Sequence, residues 1–324
     1  MRKSMSQSIN EFQKENRCLL LGGSGFLGRH LLRVLIDYNT QIICMIHKNP
    51  LQKARTHSKK EIRLVNGSIT NYPWQSFQEY PPTLVFHLAR ISGKRSLGRM
   101  IAANRSYRAN KRLIDWILKS EHDIKLVYLS GSLTYGSRDE RVTENARLVP
   151  DSYSKQYLRG EFPIYRALNL NEEFPVIICK PGWIYGSGSW FERFYLKPMQ
   201  SSGFVPLYGE GNNWMSLIHV ADCAEMVYWI ASQKSRGIFN LFIGKPIRQR
   251  DFSSMISELS GLPVKKFSNL YVRCRYGKAV KEAFNFSLKI NTKHTEFYRK
   301  YQPIYPNLKQ GISEVLDRHG LISS

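Results

Sequence analysis

The sequence has few acidic residues, few cysteines and no long apolar run. No run approaches the roughly 18 apolar residues that a membrane-spanning helix requires, so we expect no membrane span. The five cysteines are odd in number and lack metal-ligand or redox spacing, which disfavours a disulfide framework and predicts no metal site. The first 17 residues are polar and lack the apolar core of a secretory signal, so we expect a cytoplasmic protein with reduced thiols.

The shortage of acidic residues leaves the chain strongly basic. It contains 48 Lys and Arg against 25 Asp and Glu, which gives a net charge of +23. Segments 47–63, 91–112 and 263–300 together contribute 20 of these 23 net charges. Such clustering favours a polyanionic partner or an anionic substrate. A generally basic set of proteins in the source organism would give the same net charge, and this alternative stays open.

Apolar segments of strand length alternate with helical patterns through the first 180 residues. The predicted strands are 17–21, 41–46, 62–65, 83–88, 124–129 and 175–180, and the predicted helices lie near 26–37, 98–119 and 152–169. Near-continuous apolar strands that alternate with helices are typical of an α/β fold with a parallel sheet covered on both faces. Ligands of such sheets bind beyond the carboxyl ends of the strands. The second half is less regular, with a helix predicted over 219–232 and a last strand over 238–243.

A glycine-rich loop follows the first predicted strand. It reads Gly22-Gly23-Ser24-Gly25-Phe26-Leu27-Gly28, which spaces three glycines as G-x-x-G-x-x-G, and apolar residues at helical spacing follow it. Glycines permit a tight turn and a close approach of the backbone to a pyrophosphate, and the N-terminus of the following helix attracts negative charge. Strand, loop and helix together predict a dinucleotide-binding site.

Further motifs occur in the order found in one known family. They are Val85-Phe86-His87-Leu88-Ala89, the segment from Val127 to Gly136, Lys180-Pro181-Gly182-Trp183-Ile184-Tyr185-Gly186, and Ile218-His219-Val220-Ala221-Asp222. With the glycine loop, they resemble the extended short-chain dehydrogenase/reductase family, which includes nucleotide-sugar epimerases and dehydratases, over roughly residues 17–320. The resemblance implies a Rossmann-type doubly wound parallel sheet with a smaller C-terminal substrate-binding region.

The resemblance also implies a domain organisation. A disordered N-terminal segment is expected over 1–16, and a dinucleotide-binding Rossmann domain over 17–185, completed by 216–243. The substrate-binding region then comprises 186–215 and 244–324. In the family, the positions of the basic segments 91–112 and 263–300 border the substrate cleft.

The catalytic group of the family is only partly present. The family uses a Ser or Thr, a Tyr, and a Lys four residues after the Tyr; the Tyr position falls on Tyr153 and the Lys position on Tyr157. A Lys one helical turn away lowers the phenol pKa from about 10 toward neutrality, which a neutral Tyr157 does not do. Lys155 faces away, because residues two apart do not share a helix face. We predict that Tyr153 donates or accepts the proton and that Tyr157 is its neighbour.

The Ser or Thr position falls on Gly131, which Ser130 and Ser132 flank. We predict that one of these two hydroxyls binds the substrate oxygen. A literal Tyr-x-x-x-Lys occurs at Tyr107 and Lys111, but it lies in the helix before the active-site strand, where the family does not place this pair. We interpret it as a basic helix face with ordinary i,i+4 spacing.

The second predicted strand is not followed by the acidic residue that would bind a ribose 2′-hydroxyl. His47 and Lys48 stand there, and positive charge favours the extra phosphate of NADP over NAD. After the third strand, Gly67-Ser68 replaces the Gly-Asp of the family. The residues predicted to bind the cofactor are Gly22, Ser24, Gly25, Phe26, Leu27, Gly28, His47, Lys48, Ser68, Ile69, Leu88, Ala89, Arg90, Asn110, Ser130, Tyr153, Pro181 and Trp183.

Two functions are consistent with these residues. The first is an NADP-dependent oxidoreductase, epimerase or dehydratase acting on a carbonyl or secondary alcohol of a phosphorylated or carrier-linked substrate, for example a nucleotide sugar. The second is an NADP-binding protein that has lost the standard chemistry and has a regulatory, assembly or RNA-binding role. The missing lysine favours the second function, whereas Tyr153 and the glycine loop favour the first, which we prefer.

The expected partners follow from the same reasoning. A small anionic substrate is the first expectation, and nucleic acid is the lesser one. The family often dimerises through a four-helix bundle, so the helices predicted over 98–119 and 152–169 are the expected surface of a homodimer.

Overall fold

The structure is a computed structural model that describes residues 16–38, 41–47, 62–93, 96–151, 154–170, 172–234 and 236–322. The first 15 residues of the predicted N-terminal segment therefore lie outside the described residues. The strands are β1 (Arg17–Leu21), β2 (Gln41–Ile46), β3 (Ile62–Asn66), β4 (Leu84–His87), β5 (Lys125–Leu129), β6 (Arg141–Val142), β7 (Val176–Pro181), β8 (Trp183–Tyr185), β9 (Val205–Tyr208), β10 (Trp214–Met215), β11 (Leu217–His219), β12 (Gly237–Leu241), β13 (Ile247–Arg248), β14 (Val264–Phe267) and β15 (Lys289–Ile290).

The helices connect these strands. They are α1 (Phe26–Asp37), α2 (Trp74–Glu79), α3 (Ser96–Leu118), α4 (Ser154–Leu170), α5 (Lys197–Ser202), α6 (Val220–Gln233), α7 (Gln249–Ser260), α8 (Asn269–Tyr276), α9 (Lys278–Phe284), α10 (Thr295–Tyr298) and α11 (Leu308–Arg318). A single 3₁₀ turn (Ser132–Tyr135) follows β5, and a π turn (Glu192–Leu196) precedes α5. Within the described parts of the chain, no helix combines the length and the apolar character needed to cross a membrane.

Contacts between residues divide the chain into two units. The first comprises Met1–Ser130, Ser154–Lys180 and Ala224–Phe239, and the second comprises Gly131–Tyr153, Pro181–Cys223 and Asn240–Ser324. Residues 131–153, 181–185, 216–223 and 240–243, which were predicted to be part of the Rossmann domain, thus belong to the second unit. Each unit is described by itself.

The first unit is built on a seven-stranded sheet with the strand order β12-β7-β5-β4-β1-β2-β3. From β3 to β7 every neighbouring pair is parallel. The chain winds outward from β1 through β2 and β3, and then returns to β4 on the other side of β1. This is the doubly wound α/β fold predicted from the alternation of strands and helices, and the prediction is confirmed.

Burial explains why these strands read as continuous apolar segments. Cys18 to Leu21 in β1 are fully buried, and all four residues of β4 are buried. A strand covered on both faces cannot alternate polar and apolar residues. The helix α1 instead buries one face, with Leu27, Leu31 and Leu35 at four-residue spacing against the sheet.

The second unit contains short paired strands and an aromatic core. The pairs β6–β15, β8–β11 and β9–β14 are parallel, and β10–β13 is antiparallel. Phe191, Tyr195 and Phe252 are fully buried and pack on one another. The buried Glu144 accepts hydrogen bonds from the Asn240 amide, the Thr292 hydroxyl and the Lys293 amide at 2.8–2.9 Å. This carboxylate joins the segment 131–153 to residues far along the chain.

Candidate active site

The glycine loop has the backbone geometry of a phosphate cradle. Gly22 adopts a φ of +94°, and a Cβ placed there would lie 2.8 Å from the amide nitrogen of Ala89. A Cβ on Gly28 would lie 2.0 Å from the carbonyl oxygen of Gly22. Glycine is therefore required at both positions, the first because of its dihedral angle and the second because α1 packs closely on the loop.

The third glycine opens the helix. Gly25 is the N-cap of α1, and its amide donates to the Gly22 carbonyl at 3.0 Å. The first turn of α1 contains no acidic residue, so the positive end of the helix dipole is left for a ligand. Phe26 begins the helix, and the buried Leu27 holds it to the core. The cradle fits the pyrophosphate of a dinucleotide.

An open cleft of about 400 Å³ lies where the strand order reverses, between the ends of β1 and β4. Ligands of doubly wound sheets bind at this position. The cleft brings together seven of the predicted cofactor residues, Gly22, Ser24, His47, Ser68, Ile69, Ala89 and Arg90. Leu88 continues the pairing of β4 with β1, since its amide donates to the Leu21 carbonyl at 2.9 Å. Lys48 lies outside the described residues.

The walls of the cleft are basic. His47, Arg90 and Arg105 line it, and no carboxylate occurs among its described lining residues. Arg105 was not predicted as a cleft residue, because it lies on α3 and the sequence does not show which face of that helix lines the cleft. The β3 side is polar: the Ser68 hydroxyl lies 3.0 Å from that of Thr70. The cleft therefore favours an anionic ligand.

A cation from the β4 loop lies against α4. The guanidinium carbon of Arg90 is 3.4 Å from the ring centroid of Tyr157. Arg90, Tyr157 and the buried Glu161 also line a small enclosed cavity behind the cleft. Tyr157 stands where the sequence resemblance expects a lysine, so positive charge is present beside this position although α4 does not provide it. Tyr153 lies outside the described residues, and its role stays a prediction.

A hydrogen-bonded chain runs from Lys180 to Glu161. The Lys180 ammonium donates to the Tyr165 hydroxyl at 3.0 Å, and the Ser130 hydroxyl donates to the Glu161 carboxylate at 2.6 Å. Ser130 and Tyr165 are 3.3 Å apart; because the single proton of Ser130 goes to Glu161, Tyr165 is the donor between them. The side chain of Ser130, a predicted catalytic and cofactor-binding residue, is thus held by α4.

Burial shifts both ends of this chain toward their neutral forms. It lowers the pKa of Lys180 to about 7, and the negative charge of Glu161 opposes this shift. Burial also raises the pKa of Glu161, which the Ser130 hydrogen bond and the positive charges of Lys180 and Arg90 oppose. Tyr157, Glu161 and Tyr165 follow one another at four-residue spacing on α4, and this period is the sequence signal that could have indicated the chain of contacts.

Asn110 links three elements beneath the cleft. Its carbonyl oxygen accepts a hydrogen bond from His87 Nε2 at 3.0 Å, and its amide nitrogen donates to the Gly160 carbonyl at 2.9 Å. These contacts join β4, α3 and α4. Burial lowers the pKa of His87 to about 4, so the imidazole is neutral at physiological pH. The predicted role of Asn110 in cofactor binding is untested.

The second unit contains the other predicted site residues. Ser132 is buried and begins the 3₁₀ turn. Trp183 is half-buried and packs edge-on against Trp190, with 5.0 Å between ring centroids, and Pro181 ends β7. Gly131 has an extended backbone, and a Cβ there would meet no atom within 4 Å. A side chain at this position would therefore be accommodated.

The literal Tyr-x-x-x-Lys pair lies on the surface. Lys111 forms an exposed ion pair with Asp115 at 2.6 Å, and the Tyr107 ring stacks on Phe162 at 6.4 Å. Neither lines the cleft or the enclosed cavity. This geometry agrees with a solvated basic helix face.

Comparison with known proteins agrees with this geometry. The family model described as the NAD dependent epimerase/dehydratase family matches residues 18–241. Among solved structures, the dTDP-glucose 4,6-dehydratase of Bacillus anthracis str. Ames, in complex with NAD, is 19% identical, with a TM-score of 0.73 over 94% of this chain and 96% of that one. The human epimerase family protein SDR39U1 (isoform 2), with NADPH, is 16% identical, with a TM-score of 0.76 over 93% and 99%.

A third similar structure is the UDP-N-acetylglucosamine 4-epimerase of Methanobrevibacter ruminantium M1, in complex with UDP-N-acetylmuramic acid. It is 15% identical, with a TM-score of 0.72 over 93% of this chain and 97% of that one. At these identities the three structures show a shared fold and nothing finer.

Proposed function

Because the chain belongs to the NAD-dependent epimerase/dehydratase family, we propose that it is an NADP-dependent enzyme acting on a carbonyl or secondary alcohol of a phosphorylated or carrier-linked substrate. The observation that carries this proposal is the glycine cradle at the reversal of strand order, in which a Cβ on Gly22 or Gly28 would collide with backbone. The family uses nicotinamide cofactors. When bound, the nicotinamide supplies hydride transfer, and the chain binds, orients and handles the proton.

The preference for NADP over NAD rests on charge. An acidic residue after β2 would bind a free 2′-hydroxyl and repel a 2′-phosphate. His47 follows β2 instead, and Arg90 and Arg105 complete the basic lining of the cleft. Guanidinium groups bind phosphate oxygens through charge-assisted hydrogen bonds. These three side chains support NADP.

The proposed proton chemistry is assigned to Tyr153, with Ser130 or Ser132 binding the reacting oxygen of the substrate. Ser130 donates to Glu161, so its oxygen is free only to accept, whereas binding a carbonyl oxygen requires a donor. Ser132 therefore suits a carbonyl substrate better, and Ser130 suits an alcohol that donates its own proton.

A nucleotide sugar is the proposed substrate class. The solved structures of similar fold include a protein, MoeE5, in complexes with UDP-glucose and with UDP-glucuronic acid, and both complexes also contain NAD. A diphosphate substrate would match the basic segments 91–112 and 263–300, which border the substrate cleft in the family.

The test is a titration of the purified chain with NADPH and then NADH, followed by turnover assays on a panel of nucleotide sugars. Gly25→Leu is the informative variant, because the backbone of Gly25 is ordinary for any residue while its side chain would enter the cradle. Gly98→Leu is the matched control, since a Cβ there makes ordinary contacts. We expect submicromolar to micromolar NADPH binding that Gly25→Leu abolishes and Gly98→Leu preserves. Equal binding by a folded Gly25→Leu protein would show that the cradle assignment is wrong.

A second candidate function is favoured by one observation. Ser130 is held by Glu161, and Tyr157 occupies the position expected for the lysine, so the standard catalytic group is incomplete. An NADP-binding protein with a regulatory, assembly or RNA-binding role fits these facts. Tight NADPH binding without turnover of any substrate in the panel would favour this second function.

We place the protein in the cytoplasm as a reduced homodimer. Four of its five cysteines are buried, and all five are free thiols. The helices α3 and α4 pack closely, since a Cβ on Gly160 would lie 2.9 Å from Ser106, and their surface exposes Ile101 and Phe162. We expect Phe162→Asp to shift a sedimentation-velocity dimer toward monomer. Salt-sensitive, submicromolar RNA binding at this face would instead favour the nucleic-acid alternative.

A further inference from the structure

The helix α4 presents no cation to the cleft. The position one turn after Tyr153 is Tyr157, and Lys155 is exposed on another face. Of the charged side chains on the described part of α4, Glu161 is negative and lines the enclosed cavity behind the cleft. The phosphates of a bound dinucleotide need positive charge nearby.

We infer that Arg90, from the loop after β4, supplies this charge and binds the phosphate or ribose oxygens of the dinucleotide, with the Tyr157 ring as its platform. The inference rests on the proposed function. The guanidinium carbon lies 3.4 Å from the ring centroid, a cation–π contact. The same residue lines the cleft together with Gly22 and Ser24 of the cradle.

The donors of Arg90 are available to a ligand. Among the described residues, none forms a hydrogen bond with the Arg90 guanidinium, and the residue is exposed. The Glu161 carboxylate experiences the positive charge of Arg90, which opposes the burial-driven rise of the Glu161 pKa. The ring thus contacts the guanidinium and leaves its five N–H donors unused by the described part of the chain.

An arginine here differs chemically from a lysine on α4. A guanidinium stays protonated at every physiological pH, so it holds charge without exchanging a proton. Its planar donors can bind two oxygens at once, as phosphate recognition requires. Cofactor binding through Arg90 should therefore be independent of pH between 6 and 9, where the buried lysine Lys180 titrates.

The experiment measures the NADPH dissociation constant of the full chain by intrinsic fluorescence, so it needs no substrate. The variants are Arg90→Ala, Tyr157→Phe, Tyr157→Ala and the double variant Arg90→Ala/Tyr157→Lys. Arg108→Ala is the matched control, because Arg108 is exposed on α3 and lines neither the cleft nor the enclosed cavity. Circular dichroism checks the fold of each protein.

We expect Arg90→Ala to raise the dissociation constant roughly 10- to 100-fold, the loss of a charge-assisted contact. Tyr157→Ala should weaken binding less than Arg90→Ala does, and Tyr157→Phe should weaken it less than Tyr157→Ala because the ring remains. Arg108→Ala should leave binding unchanged. The double variant should recover most of the lost affinity, because a lysine at 157 returns the charge to the same place. A merely structural role for Arg90 would not allow this recovery.

Two results would overturn the inference. One is unchanged NADPH binding by a folded Arg90→Ala protein, and the other is a loss that lysine at position 157 does not restore. Failure of the proposed function looks different: the unaltered chain would then bind neither NADPH nor NADH. In that case the control variant and all others would be equally inactive in binding.

Discussion

In the proposed binding site, the glycine loop and the helix α4 have opposite roles. The loop acts through its backbone: a dihedral angle requires glycine at Gly22, and close packing requires it at Gly28. The helix α4 acts through side chains, and each of these depends on a partner from another element, such as Arg90 beside Tyr157. Backbone recognition therefore follows from local sequence, whereas the chemistry along α4 depends on how distant segments meet.

The largest expected effect is on turnover, and it concerns the side chains at the start of α4. Replacing Tyr153 by Phe should lower turnover about 10²- to 10⁴-fold, because proton transfer loses its positioned group. The NADPH dissociation constant should change less than about twofold, since the backbone cradle is untouched. Turnover of the unaltered enzyme should rise with pH, because no neighbouring lysine on α4 lowers the phenol pKa.

The matched control for that experiment is Tyr107→Phe, because Tyr107 lies on the surface and stacks on Phe162. Tyr157→Lys, alone and combined with Gly131→Ser, tests whether the family's catalytic Ser, Tyr and Lys can be restored in this chain. Position 131 has room for the serine side chain, because a Cβ there meets no atom within 4 Å. Full activity in Tyr153→Phe would remove Tyr153 from the mechanism. A gain in Tyr157→Lys would show that these side chains depart from the standard chemistry.

The next effect is on the free energy of unfolding, and it concerns the glycine loop. Gly28→Ala should lower the free energy of unfolding by about 3 kcal/mol or prevent folding, because its Cβ would lie 2.0 Å from the Gly22 carbonyl oxygen. Gly131→Ala is the control and should change stability by less than about 0.5 kcal/mol, since its Cβ meets no atom within 4 Å. Urea unfolding followed by circular dichroism measures both. Equal stabilities would mean that α1 does not pack on the loop as described.

Acid should destabilise the buried junction of β4, α3 and α4 at His87 and Asn110. His87 is buried with its pKa lowered to about 4 from 6.5, so the folded protein resists protonating it while the unfolded chain does not. The unfolded state then binds more protons between pH 6.5 and 4, and stability falls as the pH falls through that window. From this one group we expect a loss of about 2.5 kcal/mol between pH 7 and pH 4.5. Urea midpoints at pH 7 and 4.5 measure the loss.

His87→Gln is the variant that isolates this effect. Its side-chain amide can still donate to Asn110 but does not titrate, so the pH dependence in that window should flatten. An unchanged slope would assign the acid sensitivity to other groups.

The smallest effect concerns the choice of cofactor. NADPH should bind about tenfold or more tightly than NADH, and His47→Glu or Lys48→Glu should reduce or reverse that ratio, at a cost of about 1.5 kcal/mol per lost contact. Lys119→Glu, at an exposed position just after α3, is the control for added negative charge. Equal dissociation constants for the two cofactors in the unaltered protein would contradict the charge-based assignment.

Much of the first unit could be predicted because its signals are local. The bounds of β1, β2 and α1 coincide with the predicted segments 17–21, 41–46 and 26–37. The helix α2 was missed, since its six residues after Pro73 are too few to show a helical period. A short helix of this kind is specified by packing, here of the buried Phe77, more than by pattern.

The contacts around α4 could not be predicted from the sequence, for a different reason. The hydrogen-bonded chain joins Ser130, Tyr165 and Lys180, which come from a strand end, a helix and another strand. Nothing in the local sequence states that these three meet. The pairing of Arg141–Val142 with Lys289–Ile290, which draws residues 131–153 into the second unit, is equally non-local.

Ligand binding at the cradle would also stabilise the folded state. The cradle lies where β1, α1 and the end of β4 meet, and a ligand that binds only this folded arrangement stabilises it by mass action. A cofactor at 100 times its dissociation constant would add about 2.7 kcal/mol, which nearly equals the expected loss from protonating His87. A pyridine nucleotide that binds as proposed would therefore offset that loss, so the saturated protein at pH 4.5 should be about as stable as the empty chain at pH 7.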